Sequence, residues 1–334
     1  MSQRRRALIP YLLLAPGLLW LLFFFAWPLV QVFLASFWSG SVEQGYTFSF
    51  ENWTNYPNAI EPVLPQVGRS LLYSLTATVL TLLIAYPLAY TIAMRGGRYK
   101  NLLLFLVVAP FFTSFLLRTL SWKILLSDNG IVFGPLKDIG LLPEDFRVLA
   151  TPMAVVAGIT YNFLPFMTLP IYVALEKVDF RLIEAARDLY AGPWRRQGTV
   201  VGAIVGAVVS LGLALAFGWS ILVPTIIAAV FGAVVGRYLV SEAFVRVTFP
   251  LSLPGVFAGS LLTFIPAMGD YINAEFLGNP ESRMLGNVIQ NRFLTQNDFP
   301  EASALSFILM GGILIIVLIY TRVLGTEQLT QSRV

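Results

Sequence analysis

The 334-residue chain is 57% apolar and only 12% charged, which excludes an ordinary soluble domain, because a globular surface needs roughly twice that charge. Its net charge of +4 is explained by basic residues beside membrane spans, where they meet anionic lipid, so no nucleic-acid partner is expected. The absence of Cys and His excludes disulfides, thiol catalysis and the usual zinc sites, and no Gly-rich loop with Lys-Ser/Thr is present to bind ATP.

Eight segments have the length and apolar character of membrane-spanning helices, so the sequence predicts a polytopic, all-α membrane protein. They cover residues 8–35, 70–94, 101–120, 150–175, 199–217, 221–240, 251–274 and 303–324. The first follows Arg4-Arg5-Arg6, but its apolar run is too long for a signal peptide and no small-residue cleavage site follows. We therefore expect an uncleaved helix.

The distribution of Lys and Arg predicts the orientation, because positively charged loops stay in the cytoplasm. With the N-terminus inside, fifteen of the 22 basic residues are cytoplasmic. The seven outside are Arg69, Arg118, Lys123, Lys137, Arg147, Arg283 and Arg292. Both termini are expected in the cytoplasm.

Residues 36–69 form the longest polar stretch and are expected outside the membrane. Aromatic and acidic side chains alternate along it: Glu43, Tyr46, Phe48, Glu51, Trp53, Tyr56 and Glu61. Two interpretations remain open, a cap that seats aromatic rings at the membrane interface and a docking surface for an extracytoplasmic partner.

Two predicted spans contain internal prolines, which are tolerated in membranes where neighbouring helices or a water-filled path satisfy the freed carbonyl groups. Pro165 and Pro170 interrupt the fourth span, and Pro254 and Pro266 lie in the span that begins at residue 251. We interpret these two helices as candidates for lining a substrate pathway.

A cluster of polar residues follows the second of these helices. Asp270, Tyr271, Asn273 and Glu275 lie at or near membrane depth, where a carboxylate is costly unless it faces a cavity or a partner. The alternatives are a functional Asp270 and a hydrated carboxylate at the outer helix end, and for Glu275 the hydrated state is the simpler interpretation. Carboxylates beside aromatic rings suit an organic cation.

Other residues could join such a pathway site if the helices converge. Trp122 and Asp128 belong to Ser121–Gly130, an amphipathic piece with a turn signal that is expected to lie along the outer face. Tyr161 and Asn162 lie on the fourth span.

The segment from Phe180 to Leu189 predicts a short amphipathic helix between two spans. Leu182, Ala185, Ala186 and Leu189 have the spacing of one helical face, and Gly192-Pro193 ends the helix. Such a helix fits a groove of a cytoplasmic subunit, although a solvated interfacial helix has the same pattern.

Residues 196–242 read as two apolar helices joined near residues 217–220. Gly198, Gly202 and Gly206 recur at every fourth residue, as do Gly232 and Gly236, so the two backbones can approach closely. A tight membrane hairpin is predicted, with a re-entrant hairpin as the alternative because Pro224 interrupts the second helix.

In order along the chain, several motifs resemble the coupling signature of binding-protein-dependent ATP-binding-cassette (ABC) permeases. They are Glu184-Ala185-Ala186, Asp188-Leu189, Ala191, Pro193-Trp194, Phe244, Pro250-Leu251 and Pro254-Gly255. Trp122, Asp128-Asn129-Gly130, the stretch 269–273, the stretch 284–290 and the stretch 302–306 resemble the spermidine/putrescine branch. The resemblance covers nearly the whole chain outside residues 196–242, which interrupt the coupling loop by 47 residues.

The resemblance implies the type I importer permease fold with six core helices, here carrying an inserted Gly-rich hairpin. The domains are then 1–195, the insert 196–242, and 243–334. The implied coupling residues are Glu184, Ala185, Ala186, Asp188, Leu189, Gly192 and Trp194. Tyr190 replaces the usual glycine of the family, and Gly192 is a possible substitute for it. The insert is either a peripheral addition or an element that regulates, oligomerises or uncouples the loop.

The implied function is that of the transmembrane subunit of an importer in a bacterial cytoplasmic (inner) membrane, for polyamines, with no catalytic activity of its own. Implied partners are a dimer of ATPase subunits that bind ATP and Mg, a second permease and an extracytoplasmic substrate-binding protein. The alternatives are a permease for another small solute and an uncoupled membrane scaffold. A membrane enzyme is disfavoured, because no pair of catalytic groups has suitable spacing.

Overall fold

The computed structural model describes residues 13–189 and 243–324, together with Gly202, Ala203, Gly206, Ala207, Ser210 and Gly232. Their contacts divide into two compact units. Unit 1 comprises Met1–Gly68 and Met284–Ile316, and unit 2 comprises Arg69–Arg283 and Val317–Val334.

The described residues are mostly helical. The helices are α1 (Leu13–Ala35), α2 (Asn55–Ile60), α3 (Leu64–Arg95), α4 (Lys100–Val108), α5 (Phe115–Leu125), α6 (Phe133–Asp138), α7 (Pro152–Glu176), α8 (Phe180–Leu189), α9 (Phe249–Met268), α10 (Ile272–Leu277), α11 (Leu285–Asn291) and α12 (Phe299–Leu324). The strands are β1 (Trp38–Ser41) and β2 (Gly45–Phe48). Short 3₁₀ turns cover Phe50–Thr54, Glu61–Val63, Gly97–Tyr99, Ala109–Phe112 and Pro280–Ser282, and π-helical turns cover Leu22–Ala26, Phe244–Thr248 and Arg292–Gln296.

Five described helical segments are long and apolar enough to cross a membrane: Leu13–Ala35, Phe50–Arg95, Pro152–Glu176, Phe244–Met268 and Phe299–Arg322. A sixth span is formed only if Gly97–Phe112 and Phe115–Leu125 are counted together, and these two pieces meet at 94°. The predicted span over residues 101–120 is therefore a bent pair of helices in the structure. Thr113 adopts an extended backbone and ends the first piece. The predicted spans 199–217 and 221–240 lie outside the described ranges.

Residues 36–69, predicted to lie outside the membrane, contain an antiparallel β-hairpin, which an all-α interpretation does not include. Trp38 pairs with Phe48 and Ser41 pairs with Gly45, whose positive φ of 79° suits the turn. The rings of Trp38 and Tyr46 stack with their centroids 5.4 Å apart, and the Tyr46 hydroxyl donates to the Asn297 carbonyl at 2.7 Å. The hairpin is thereby attached to the segment that leads into α12.

The core of unit 2 is formed where α3, α7 and α9 meet. Ala85 and Ala89 of α3, Met167 and Ile171 of α7, and Val256 of α9 belong to one buried cluster. Small residues let the backbones approach: a Cβ on Gly255 would lie 2.5 Å from the Pro170 carbonyl oxygen of α7. The two proline-containing helices are therefore neighbours, as the pathway interpretation requires.

Candidate functional site

An apolar groove of about 670 Å³ runs along the two proline-containing helices of unit 2. Its walls include Phe166 and Val173 of α7 and Leu251 and Leu262 of α9, all of them exposed. Lys177 lies at the end of α7 and contributes a charge to the lining. A groove with this lining can bind an apolar helix or the hydrocarbon part of a solute.

A buried polar cluster joins α5, α7 and α10. The Asn273 side-chain oxygen accepts from Thr119 Oγ1 at 3.2 Å and from Asn162 Nδ2 at 3.1 Å. The Asn273 amide nitrogen donates to Asp270 Oδ2, while the Asn273 backbone N–H donates to Asp270 Oδ1 at 3.1 Å. Since Thr119, Asn162 and Asn273 are fully buried, these bonds replace hydration and hold three elements in one arrangement.

The cluster changes the interpretation of Asp270. The side chain is buried, so the alternative of a simply hydrated carboxylate at a helix end is wrong. Asp270 lies two residues beyond the end of the span, and burial raises the pKa of its carboxyl, with the Asn273 hydrogen bonds opposing that rise. Both carboxylate oxygens accept from Asn273, so Asp270 orients the start of α10.

Gly158 allows α10 to pack on α7. A Cβ at Gly158 would lie 2.7 Å from the Asn273 side-chain oxygen and would also overlap the end of Leu277. The sequence drew attention to neither Gly158 nor Thr119, because a lone glycine and a lone threonine in an apolar segment carry no pattern. Their roles depend on which helices meet.

The remaining predicted pathway residues fall into three places. Trp122 and Tyr161 come together edge to face, with their ring centroids 5.3 Å apart. Asp128 instead pairs with Arg147, Oδ2 to Nε at 2.9 Å, in the connection that follows α5. Tyr271 and Glu275 are exposed, and Glu275 occupies the first turn of α10.

Arg118 lies near the aromatic pair and was counted in the sequence only as an outer basic residue. Its guanidinium carbon lies 4.5 Å from the centre of the Phe111 ring and 5.7 Å from that of Phe115. The rings stabilise the cation across the bend between α4 and α5.

The short amphipathic helix is confirmed as α8, and three of the four residues predicted to form its apolar face are exposed. Ile183 and Ala186 are buried, whereas Leu182, Ala185 and Leu189 are exposed, Leu189 by 78%. Ala186 departs from the predicted exposed face, and Ile183 was not named in the prediction, because the sequence does not show which side of the helix packs on the rest of the chain. Glu184 and Asp188 are also exposed.

Helix α8 packs against the π-helical turn Phe244–Thr248. The first of these elements precedes residues 196–242 and the second follows them. The two halves of the signature, separated by the predicted insert, therefore lie side by side in unit 2. We call α8 and Phe244–Thr248 together the coupling segment.

Phe244 connects the coupling segment to α3. Its ring centroid lies 5.6 Å from that of Tyr86 and 5.8 Å from that of Tyr90, edge to face in both cases. The Tyr86 hydroxyl is 2.7 Å from Ser252 Oγ. Because Ser252 donates to the Phe249 carbonyl at 2.8 Å, the Tyr86 hydroxyl donates to Ser252.

An ion pair lies at the same end of unit 2. Lys100 Nζ and Glu176 Oε1 are 2.7 Å apart and join the start of α4 to the end of α7. The pair is partly exposed, so its contribution to stability is small.

Parts of the predicted coupling loop and hairpin lie outside the described residues, namely Gly192, Trp194 and most of 196–242. At Gly232, a Cβ would overlap the Gly202 carbonyl and lie 3.2 Å from the Gly206 Cα. These are three of the glycines in the predicted stripes, and they approach backbone to backbone. The hairpin itself stays a prediction.

Residues 240–326 match the model of a family described as the binding-protein-dependent transport system inner membrane component. The chain is 35% identical over 304 residues to the spermidine/putrescine transport system permease protein PotB of Haemophilus influenzae, an alignment that covers 91% of this chain and 90% of that protein. It is 31% identical over 269 residues to PotB of Escherichia coli, covering 80% and 81%.

Among solved structures, the chain is similar to a bacterial ABC transporter involved in the import of the acidic polysaccharide alginate. The TM-score is 0.58 at 16% identity, and the match covers 97% of each chain. The same type of transporter in complex with an alginate pentasaccharide-bound periplasmic protein matches with a TM-score of 0.53. At this identity the likeness shows the fold alone.

Proposed function

The chain belongs to the binding-protein-dependent ABC importer permeases, in the branch of the PotB proteins, and from this premise we propose that it passes a polyamine of the spermidine or putrescine type across the membrane. The family resemblance and the permease function drawn from the sequence are confirmed. What the proposal adds is the solute, the partners and the residues that couple ATP hydrolysis to transport.

The coupling segment carries the proposal. Its two parts are far apart in the sequence and adjacent in space, and α8 exposes Leu182, Ala185 and Leu189 while burying its other side. An exposed apolar stripe flanked by Glu184 and Asp188 suits a groove on a cytoplasmic ATPase subunit. ATPase closure then moves α8, and unit 2 changes the access of the pathway.

The solute is inferred from the relatives and from the chemistry near α10. Glu275 and Tyr271 place a carboxylate and a ring on the exposed side of this short helix, and the Trp122–Tyr161 pair adds aromatic surface. Ammonium groups are attracted to both. In this account Asp270 and Asn273 hold α10 in position, and Glu275 attracts the cation.

We further propose that the groove along α7 and α9 receives the second permease. Its apolar walls have the character of a helix-packing surface rather than of a path for a polycation. The extracytoplasmic binding protein and the ATPase dimer complete the importer, in the cytoplasmic membrane with both termini inside.

The test is uptake by the complex reconstituted in liposomes with its ATPase, second permease and binding protein. We expect ATP-dependent accumulation of labelled spermidine, and stimulation of ATP hydrolysis by the spermidine-loaded binding protein. Stimulation by a neutral saccharide instead would exclude the polyamine, and assembly without stimulation by any loaded binding protein would favour a scaffold.

A further inference from the structure

A route from the coupling segment into the membrane helices is visible at Phe244. Helix α8 packs on the turn Phe244–Thr248, and the Phe244 ring packs against the buried cluster of α3, α7 and α9. Thus one described contact joins α8 to this turn, and the next joins the turn to α3.

The geometry around Phe244 is that of a ring held from several sides. Tyr86 and Tyr90 lie one helical turn apart on α3 and both present edges to it, at interplanar angles of 89° and 80°. Phe249, at the start of α9, lies 6.1 Å away between ring centroids. A shift of Phe244 towards these rings presses on α3 and on the start of α9, because rings in van der Waals contact cannot overlap.

A hydrogen bond also joins α3 to α9. Tyr86 and Ser252 are both buried, and the bond between them ties α3 to the first turns of α9. This bond therefore adds a second link, beside the aromatic contacts, between α3 and α9.

We propose that Phe244 is the positioning residue that transmits movement of α8 to α3 and α9, acting as a wedge between Tyr86 and Tyr90. This inference rests on the proposed function, since it assigns the internal part that converts ATPase closure into a change of access. Phe244 is assigned neither to the solute site nor to the ATPase-facing side of α8, and it acts only through α3 and α9, whose rings it contacts.

The test compares Phe244→Ala with Phe244→Tyr in the reconstituted complex, measuring spermidine imported for each ATP hydrolysed. The Ala variant is expected to assemble and to import roughly tenfold less for each ATP, within the range typical of coupling between sites. The Tyr variant keeps the ring and is expected to restore most of the wild-type ratio. A general loss of packing would not be rescued in this way.

Phe257→Ala is the matched control, because Phe257 is also an aromatic residue of the α9 region, stacked on Tyr320 at 4.7 Å. It is expected to keep the wild-type ratio. Equal losses in Phe244→Ala and Phe257→Ala, or equal losses in Phe244→Ala and Phe244→Tyr, would overturn the proposal.

A second pair of variants decides the matter if Phe244→Ala does not assemble. Phe244→Leu and Tyr90→Leu remove the two sides of one contact, so the double variant should lose little more than either single one. Independent, multiplying losses would overturn the transmission route. If the wild-type complex itself imports no spermidine, that result contradicts the proposed function rather than the transmission route through Phe244.

Discussion

Two regions of unit 2 are stabilised by different kinds of interaction, one around Asn273 and one around Phe244. Around Asn273, directional hydrogen bonds between fully buried polar groups join α5, α7 and α10. Around Phe244, aromatic contacts join the coupling segment to α3, edge to face, and to α9, where the rings are tilted. Hydrogen bonds weaken steeply when their distances and angles change, whereas rings in contact press on one another when one of them moves. The polar region is suited to fixing a short helix, and the aromatic region to passing on a movement.

The largest effect is expected from removing the centre of the polar cluster. Asn273→Leu leaves Thr119, Asn162 and Asp270 without their shared partner, which should destabilise the protein by about 3 kcal/mol or more. Thermal unfolding of the purified protein measures this. Asn101→Ala, at an exposed position of α4, is the control and should change little. If both variants unfold at the wild-type temperature, the polar region does not fix α10.

A second variant tests the packing that lies between the two regions. Gly255→Ala would bring a methyl group within 2.6 Å of the Ala174 Cβ and 2.9 Å of the Ile171 Cα, so α7 and α9 must separate. We expect a loss of about 2 kcal/mol in the free energy of unfolding.

Gly311→Ala is the matched control for this packing test. It adds the same methyl group in α12, where nothing lies within 4 Å of the new atom. Alanine there should be neutral or stabilising by up to about 1 kcal/mol, because it favours the helix. Equal behaviour of the two variants would mean that the α7–α9 contact is loose.

A charged substitution tests whether the exposed face of α8 docks the ATPase subunit. Ala185→Glu places a carboxylate in the apolar stripe and should weaken the affinity for the ATPase subunit by roughly tenfold. Co-purification at graded ATPase concentrations measures it. Arg98→Glu changes the charge of an exposed loop at the same end of unit 2 and should have a weaker effect. An unchanged affinity for the Ala185 variant would contradict docking through this face.

The smallest effect is expected at Asp298 of unit 1. Its surroundings differ from those of Asp270, because a positive charge rather than hydrogen bonds from Asn273 opposes the effect of burial on its pKa. Burial raises the pKa of Asp298, and the positive charge of Arg292 partly offsets the rise. Its ionised form is therefore disfavoured in the folded state, so its contribution to stability falls as pH rises from the unfolded pKa through the folded one. Asp298→Asn, which keeps an acceptor for the Glu301 N–H, should be slightly more stable at pH 7. The difference should vanish in acid, and unfolding at several pH values would reveal it.

The sequence alone predicts the parts of this molecule that depend on local pattern. The amphipathic helix over 180–189 and the long apolar spans follow from spacing and hydropathy. Which side of α8 is buried does not, because α8 packs against a turn some 60 residues later in the chain, and Ile183 is buried. The break after Phe112 was also missed, since the apolar run continues through it.

The polar cluster was only partly predictable for the same reason. Asp270 and Asn273 attract attention as polar groups near an apolar span, and Trp122 and Tyr161 were expected to meet if the helices converge. The pairing of Asp128 with Arg147 and the participation of Thr119 depend on long-range contacts. Residue types in the sequence therefore indicated the region of the polar cluster. The hydrogen-bond and ion-pair partners within that region could be identified only from the folded structure.

Docking of the ATPase on the exposed face of α8 is tested most directly by labelling a thiol placed there. The chain has no cysteine, so Ala185→Cys introduces a single thiol at an exposed position of α8, and its rate of maleimide labelling can be followed. We expect rapid labelling of the permease alone and strong protection once the ATPase subunits bind. Labelling at the same rate in a complex that hydrolyses ATP would contradict it.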